Sequence, residues 1–317
     1  MPVFSRTIRE QVPQGLRLDR YVCEFLSLLS RSQIKARSLE AKVNGKNVKL
    51  SRHVKHGDFL ELSWLDAPPV QIIPQDIPLD IVFENERVVV INKSQGMVVH
   101  PGAGNRQGTL ANALYYRRIK KHGEDCAAGL RPGIVHRLDK ETSGVIIAAY
   151  DDEALVFLAN QFKARKTIKT YIAIIQGTPK EPKGRIETFV ARDTRDRKRF
   201  TVSPHGRSAL TFYKVIKSWG SHSLVLLRPK TGRTHQLRVH MRFLGYPILG
   251  DSVYGFNDRH FPDAALMLHS KSLAVTLPGE QQARVFKSPM PERFACIIEK
   301  LNGGLFSHVA GERGGHE

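Results

Sequence analysis

The chain has 317 residues, 41% of them hydrophobic, with 49 Lys and Arg against 30 Asp and Glu, a net charge of +19 and a pI near 10.0. The apolar share excludes a disordered chain and supports a sizeable core, and the length allows one large domain plus a smaller one. The cationic excess points to a polyanionic partner, nucleic acid first and an anionic membrane surface second.

No apolar run reaches the roughly 18 residues of a membrane span. Residues 1–6 carry no apolar signal core, so a cytoplasmic location and no membrane are expected. Cys23, Cys126 and Cys296 lie far apart, without zinc spacing or a disulfide framework. Cys23 and Cys296 fall on the apolar faces of predicted helices, which suits core packing. His235 and His240 are spaced wrongly for one metal-binding helix face. No metal and no cofactor are expected, and no Gly-rich nucleotide fingerprint exists.

In chain order, residues 16–29 carry Leu18, Tyr21, Val22, Phe25, Leu26 and Leu29 on one face of a predicted helix. Ser30-Arg31-Ser32 breaks the chain, and Ser30 or Ser32 caps a second helix. Arg31, Lys35 and Lys42 lie near one face of it. Asn44-Gly45 marks a hairpin tip, and residues 54–62 give a turn and a strand. Residues 1–66 thus form a small α/β module. Residues 67–80, with Pro68, Pro69, Pro74 and Pro78, form a stiff linker.

Strands dominate from residue 81 to 302. Residues 88–91 form a buried strand, and Thr109 caps a helix through Arg117. Ile134 and Val135 end a strand, and residues 145–149 form a buried one. Asp152 caps a helix with Leu155, Leu158, Ala159 and Phe162 inward. Residues 170–176, 209–216, 223–227 and 272–277 are strands. Residues 292–301 form a closing helix, with Phe294, Ile297, Ile298 and Leu301 on one face. The class is α+β: a largely antiparallel mixed sheet flanked by helices, preceded by the small α/β module. Residues 303–317 are a Gly-rich, frayed tail.

Chemistry gathers at His136-Arg137-Leu138-Asp139, a turn between two apolar runs. A carboxylate held beside a guanidinium on a rigid scaffold is how a site is built. The plain reading is a surface turn with an Arg137–Glu141 ion pair.

The string Gly133-Ile134-Val135-His136-Arg137-Leu138-Asp139-Lys140-Glu141-Thr142-Ser143-Gly144 resembles the catalytic motif of the RluA-type ribosomal large-subunit pseudouridine synthases. Further segments extend the resemblance in the right order: Val90-Ile91-Asn92-Lys93, residues 108–114, Gln161-Phe162, Lys169-Thr170-Tyr171, residues 231–240 and residues 245–251. Ser94 stands where that family commonly has Pro, so the loop to Gly96 and His100 is expected to be less rigid. Arg17-Leu18-Asp19, Ser30-Arg31-Ser32-Gln33-Ile34, Val43-Asn44-Gly45 and His56-Gly57-Asp58 are similar to the S-four RNA-binding domain. The Gly that usually precedes the Asn-Gly strand is missing, and the second helix is shorter. Its end, and with it the position of Lys42, is expected to differ.

The resemblance implies an isomerase of uridine in RNA, in the large ribosomal subunit, needing neither cofactor nor metal. The glycosidic bond breaks, the uracil turns, and its carbon five joins the ribose. Asp139 is then the nucleophile or base, and Arg233 pairs with it. Tyr171 stacks on uracil and its hydroxyl serves as a base in a later step. Arg137 helps to extrude the target nucleotide. His136 hydrogen-bonds within the turn. Arg192, Arg197 and Lys198 contact phosphate, and Arg31, Lys35 and Lys42 hold RNA from the N-terminal module. The plain counterparts are a helix-surface phosphate clamp for Arg233, a core strand tyrosine for Tyr171 and solvated faces for the basic runs. RNA is the expected partner of a monomer with no obligate protein partner.

Two other classes stand beside this one. A non-catalytic RNA-binding or ribosome-assembly factor would not need Asp139, Tyr171 and Arg233 together. A glycoside hydrolase needs a second carboxylate, for which only Asp251 and Glu141 offer themselves.

Overall fold

The computed structural model describes residues 3–26, 28–29, 33–34, 37–65, 72–102, 104–123, 133–197 and 199–303. The chain divides into two compact units, Met1–Gln71 and Ile72–Glu317.

The smaller unit holds β1 (Val3–Thr7), α1 (Leu18–Glu24), β2 (Glu40–Val43), β3 (Lys46–Asn47) and β4 (Phe59–Ser63). Its antiparallel sheet runs β1-β4-β2-β3. Leu60 and Leu62 alternate inward from β4 and meet Leu18, Tyr21 and Val22 of α1. Helix α1 stops well short of residue 29. The Leu28 N–H reaches back six residues to the Val22 carbonyl, a winding no α-helix continues. Cys23 packs against this core. At the hairpin tip Asn44 (φ 53°) and Gly45 (φ 76°) are both left-handed, the geometry of a type I′ turn.

Lys42 is a correction. It lies exposed on β2, opposite Asn47 and Glu61, and not on a helix. The chain leaves the preceding helical turn at Ser38, whose φ of 48° fills a left-handed position without a Gly. Arg31 and Lys35, with the Ser30 and Ser32 caps, lie outside the described residues. So do Pro68, Pro69, Cys126, Lys198 and the tail from 304 to 317.

The larger unit holds β5 (Ile81–Glu84), β6 (Val88–Lys93), α2 (Leu110–His122), β7 (Ser143–Ala149), α3 (Asp152–Lys163), β8 (Ile168–Gln176), β9 (Lys183–Arg192), β10 (Phe200–Val202), β11 (Arg207–Ser218), β12 (His222–Pro229), α4 (Gln236–Phe243), β13 (Leu268–Thr276), β14 (Ala283–Lys287) and α5 (Glu292–Asn302). The sheet runs β10-β9-β11-β12-β8-β13-β7-β6-β5, with β14 on β13. Every pairing is antiparallel except β13 with β7. The class is α+β, as the sequence pattern implies.

Strand β7 is buried at every position and lies inside the sheet between β13 and β6. Two glycines let the chain approach it. A Cβ on Gly133 would sit 1.8 Å from the Ala149 carbonyl oxygen, and one on Gly144 2.2 Å from that of Ser270. Both have positive φ, so only Gly fits. Ile134 forms a single bridge to Ala148 and not a strand.

Residues 72–80 are not free linker. Asn112 donates to the Ile73 carbonyl (2.8 Å), and the Gly108 N–H donates to the Gln75 side chain (2.7 Å). An extended proline-bearing segment lacks ladder partners of its own and takes them from the start of α2. Helix α2 has the Thr109 cap in a reciprocal capping box and runs past Arg117 to His122. Asp151, one residue before the expected Asp152, caps α3. Strand β9 escaped the sequence reading because its inward positions include Gly184 and Thr188 and the apolar Phe189 lies on its open face, which breaks the alternation around buried Ile186 and Val190. On α5, Phe294, Ile297 and Leu301 are buried, but Cys296 is exposed, against expectation. Among the described residues no helix is long and apolar enough to cross a membrane.

Candidate active site

The Asp139 turn is fixed from behind. The Thr142 N–H donates to the Asp139 carbonyl (3.0 Å) and the Gly96 N–H to the Lys140 carbonyl (2.9 Å). Lys93, 1% exposed at the end of β6, donates to the carbonyls of Ser94 (2.8 Å), Met97 (2.9 Å) and Lys140 (3.1 Å). Gln95 donates to the carbonyls of Glu141 and Leu266. The loop after Ser94 is therefore tied to the turn despite the missing proline. Burial pulls the Lys93 ammonium down to about 8, with Glu141 and Asp139 opposing.

His136 braces the turn from the other side. Its Nε2 accepts the Ile147 N–H (3.1 Å), and its ring stacks on Phe162 with centroids 4.4 Å apart. Burial pushes it down to about 3, so it stays a neutral acceptor. Its part is to hold the turn on β7 while lining the cavity.

Asp139 projects from this turn into a cavity of about 540 Å³, within the range of small-ligand sites. Its side chain is 19% exposed and faces two groups from the segment 231–240. Arg238 Nη1 lies 3.9 Å from its Oδ2 and His235 Nε2 lies 4.0 Å from the same atom. Arg238, on the buried face of α4, also forms a bidentate pair with Asp251, Nε–Oδ2 2.7 Å and Nη2–Oδ1 2.6 Å. The Asp251 side chain is 0% exposed and also accepts the N–H groups of Val253 and Tyr254. Burial pulls the Arg238 guanidinium down, but hydrogen bonds and charge from Asp251, aided by Asp139, carry it above its ordinary value.

The pairing expected of Arg233 thus falls to Arg238. Arg233 donates through Nε to the Ser208 carbonyl (3.0 Å) and stands on the cavity rim. Helix α4 begins only at Gln236, after His235 in a left-handed conformation, so Arg233 precedes the helix that faces Asp139. The signal for Arg238 was a charged residue inside Leu237-Arg238-Val239, where the helix period demands burial.

Tyr171 stands on β8 at 8% exposure, opposite Leu227 of β12 and Ser270 of β13, and lines the same cavity. Burial pushes its hydroxyl up to about 12; a hydrogen bond with Ser270 opposes this and Asp139 adds to it. Arg137 is exposed at the cavity mouth and makes no ion pair with Glu141 among the described residues. Lys163, Arg165, Lys230 and Arg233 complete a cationic rim, and Lys169, pulled down by burial, lines the cavity beneath them.

Arg192 and Arg197 do not line the cavity. They are exposed at the β9–β10 hairpin, where the Arg192 guanidinium lies over Phe200. His240 is held between Thr188 and Thr211, and His235 between Asp139 and Tyr254.

Residues 87–243 match the family model for RNA pseudouridylate synthase. Over 303 residues the chain is 43% identical to the ribosomal large subunit pseudouridine synthase D of Borreliella burgdorferi, covering 93% of this chain and 91% of that protein. The chain belongs to the RluA-type RNA pseudouridine synthases. A second relative, the ribosomal large subunit pseudouridine synthase D of Blochmanniella floridana, is 35% identical over 95% of this chain and 99% of its own length. Among solved structures, human RNA pseudouridylate synthase domain containing 4 is 28% identical, with a TM-score of 0.58 over 70% of this chain and 93% of that one. The activity is therefore isomerisation of uridine in RNA.

Proposed function

We propose that this synthase acts on large-subunit ribosomal RNA, that Asp139 is the carboxylate acting at the ribose, and that the N-terminal unit is an S-four-like RNA anchor. The observation supporting the role of Asp139 is its position: inside the cavity, facing a buried guanidinium whose stronger bonds go to another carboxylate. Two relatives named for the large ribosomal subunit support the substrate. The anchor rests on the basic composition and on the motifs around α1 and the Asn44-Gly45 hairpin.

The chemistry follows from charge and reach. When the glycosidic bond breaks, its electron pair leaves with the uracil nitrogen. Asp139 either bonds to carbon one of the ribose or takes a proton from carbon two; both routes use an ionised carboxylate. The uracil then turns, its carbon five bonds to carbon one, and the proton on carbon five departs. Tyr171 stacks on the base. Its hydroxyl is protonated at neutral pH, since it is pushed up to about 12. It is therefore not a standing phenolate, and to take the carbon-five proton as a base it must release its own proton to solvent. Arg137 at the mouth fills the gap left by the extruded nucleotide, while the rim cations and the β9–β10 hairpin hold flanking phosphates.

A glycoside hydrolase is disfavoured. Its second carboxylate would have to be Glu141, which does not line the cavity, or Asp251, which is sealed from solvent and held by Arg238. The test is Asp139→Asn, assayed by tritium release from carbon-five-labelled uridine in ribosomal RNA. Loss of turnover with RNA affinity and fold intact is expected; substantial turnover would remove Asp139 from the mechanism.

A further inference from the structure

His235 faces Asp139 from a strained backbone. Its φ of 56° is a conformation that a residue with a Cβ rarely takes, and such strain clusters at functional sites. The ring is wedged edge-on between Phe200 (5.5 Å) and Tyr254 (5.6 Å).

A short chain of polar groups fixes what the ring presents. The N–H of Phe200, the first residue of β10, donates to the Tyr254 hydroxyl oxygen at 2.7 Å. That hydroxyl lies 2.9 Å from His235 Nδ1. A phenol has one proton to give. With its oxygen already accepting the amide, the acceptor in reach among the described residues is the Nδ1 lone pair. With Nδ1 as that acceptor the ring proton is on Nε2, which lies 4.0 Å from Asp139 Oδ2. Burial favours the neutral ring, although Asp139 opposes that; Arg238 and Arg137 push the same way as burial, and Asp251 the other way. What Asp139 meets is therefore set by tautomer, not by charge. Catalytic contacts of this length tighten when substrate displaces water.

We infer that His235 is a positioning residue: its Nε2–H, held on that nitrogen by Tyr254, is a second donor that orients the Asp139 carboxylate beside Arg238. The inference rests on Asp139 being the reacting carboxylate. It also ties the reacting group to the β9–β10 hairpin through Phe200. Arg199 reinforces that tie, with its Nη2 bonded to the Val253 carbonyl (2.6 Å) and its guanidinium over the Tyr254 ring.

The experiment has two arms. In the first, protein labelled with nitrogen-15 histidine is read by long-range proton–nitrogen correlation, which reports the protonated ring nitrogen. His235 should be a single Nε2–H tautomer, and Tyr254→Phe should make it a mixture. In the second, turnover is measured on ribosomal RNA. Tyr254→Phe and His235→Ala should lower kcat roughly 10–100-fold, the range for a hydrogen bond to an ionised group, with KM for RNA unchanged. His235→Gln places an amide N–H near the Nε2 position and should recover most of the rate. A proton found on Nδ1, an unchanged tautomer in Tyr254→Phe, or a Gln variant no better than Ala would each overturn the inference. If His235→Ala melts early, Tyr254→Phe and the Gln variant decide. The tautomer arm reads free protein, so it stays informative even if Asp139→Asn proves active and the reading of Asp139 fails.

Discussion

Replacing Arg238 by Met separates what the guanidinium does for the fold from what it does for Asp139. Methionine keeps the apolar stem and removes the charge. Asp251, 0% exposed, then loses its cation and keeps, among the described residues, the Val253 and Tyr254 amides as side-chain partners. Removing one member of a buried ion pair costs about 3–5 kcal/mol. In a unit the size of residues 72–317, each kcal/mol is worth about 2–4 °C, so its melting transition should fall by roughly 6–20 °C. Adding Asp251→Asn removes the orphaned charge and should restore most of that loss. It cannot restore the contact at Asp139, which lies 3.9 Å from the lost guanidinium. The double variant should therefore be stable and inactive. Scanning calorimetry and tritium release on the same preparations read both effects. A single variant that melts like wild type would show that the pair is not energetically buried. A double variant with wild-type turnover would refute the link between Arg238 and Asp139.

Arg137→Ala should impair single-turnover rates more on a uridine in a stable stem than on the same uridine unpaired, because unstacking takes a few kcal/mol only in the first; equal losses would leave Arg137 a brace of the turn. Tyr171→Phe keeps the stacking ring, so binding should hold while release of the carbon-five proton slows; a rate equal to wild type would leave Tyr171 with stacking alone. Lys93→Met tests the buried amine by pH. The folded protein holds the Lys93 proton only to about pH 8, against 10.5 for an ordinary lysine. Between those values the unfolded chain binds more protons, so stability from this group rises with pH, by up to about 3 kcal/mol. The variant should lose that rise relative to wild type in urea melts from pH 7.5 to 10.5, and parallel curves would show that Lys93 does not titrate there.

Much of this arrangement was legible because the relevant signals are local. Asn44-Gly45 dictates a turn by its backbone preferences, Thr109 caps a helix by reach, and an unbroken run such as Val145-Ile146-Ile147 belongs in the middle of a sheet. The fold class followed from those pieces. What stayed hidden depends on pairing across the chain. Strand β1 has mostly exposed side chains and exists by its register with β4. Arg233 and Arg238 are both cations in one segment. The start of α4 at Gln236, set by the left-handed His235, turns Arg238 and not Arg233 toward Asp139. Asp251, 13 residues after Arg238, completes the choice by capturing it.

That capture resolves a conflict built into the composition. A chain with net charge +19 attracts a polyanion, yet the role proposed for Asp139 needs a carboxylate whose oxygens are free to act. An unrestrained guanidinium beside Asp139 would close on it at the 2.7–2.9 Å typical of charge-assisted pairs and occupy its lone pairs. Here Asp251 takes the bidentate bonds, at 2.7 and 2.6 Å, and holds Arg238 at 3.9 Å from Asp139. Asp139 keeps a compensating charge and a fixed orientation, and its oxygens stay free for the role proposed for it. The rim cations sit at the mouth, where phosphate can reach them. On this argument Asp251→Asn alone frees Arg238 to close on Asp139, so it should lower kcat while leaving RNA affinity unchanged. An Asp251→Asn enzyme with wild-type kcat would mean that the division of Arg238 between two carboxylates is not what keeps Asp139 reactive.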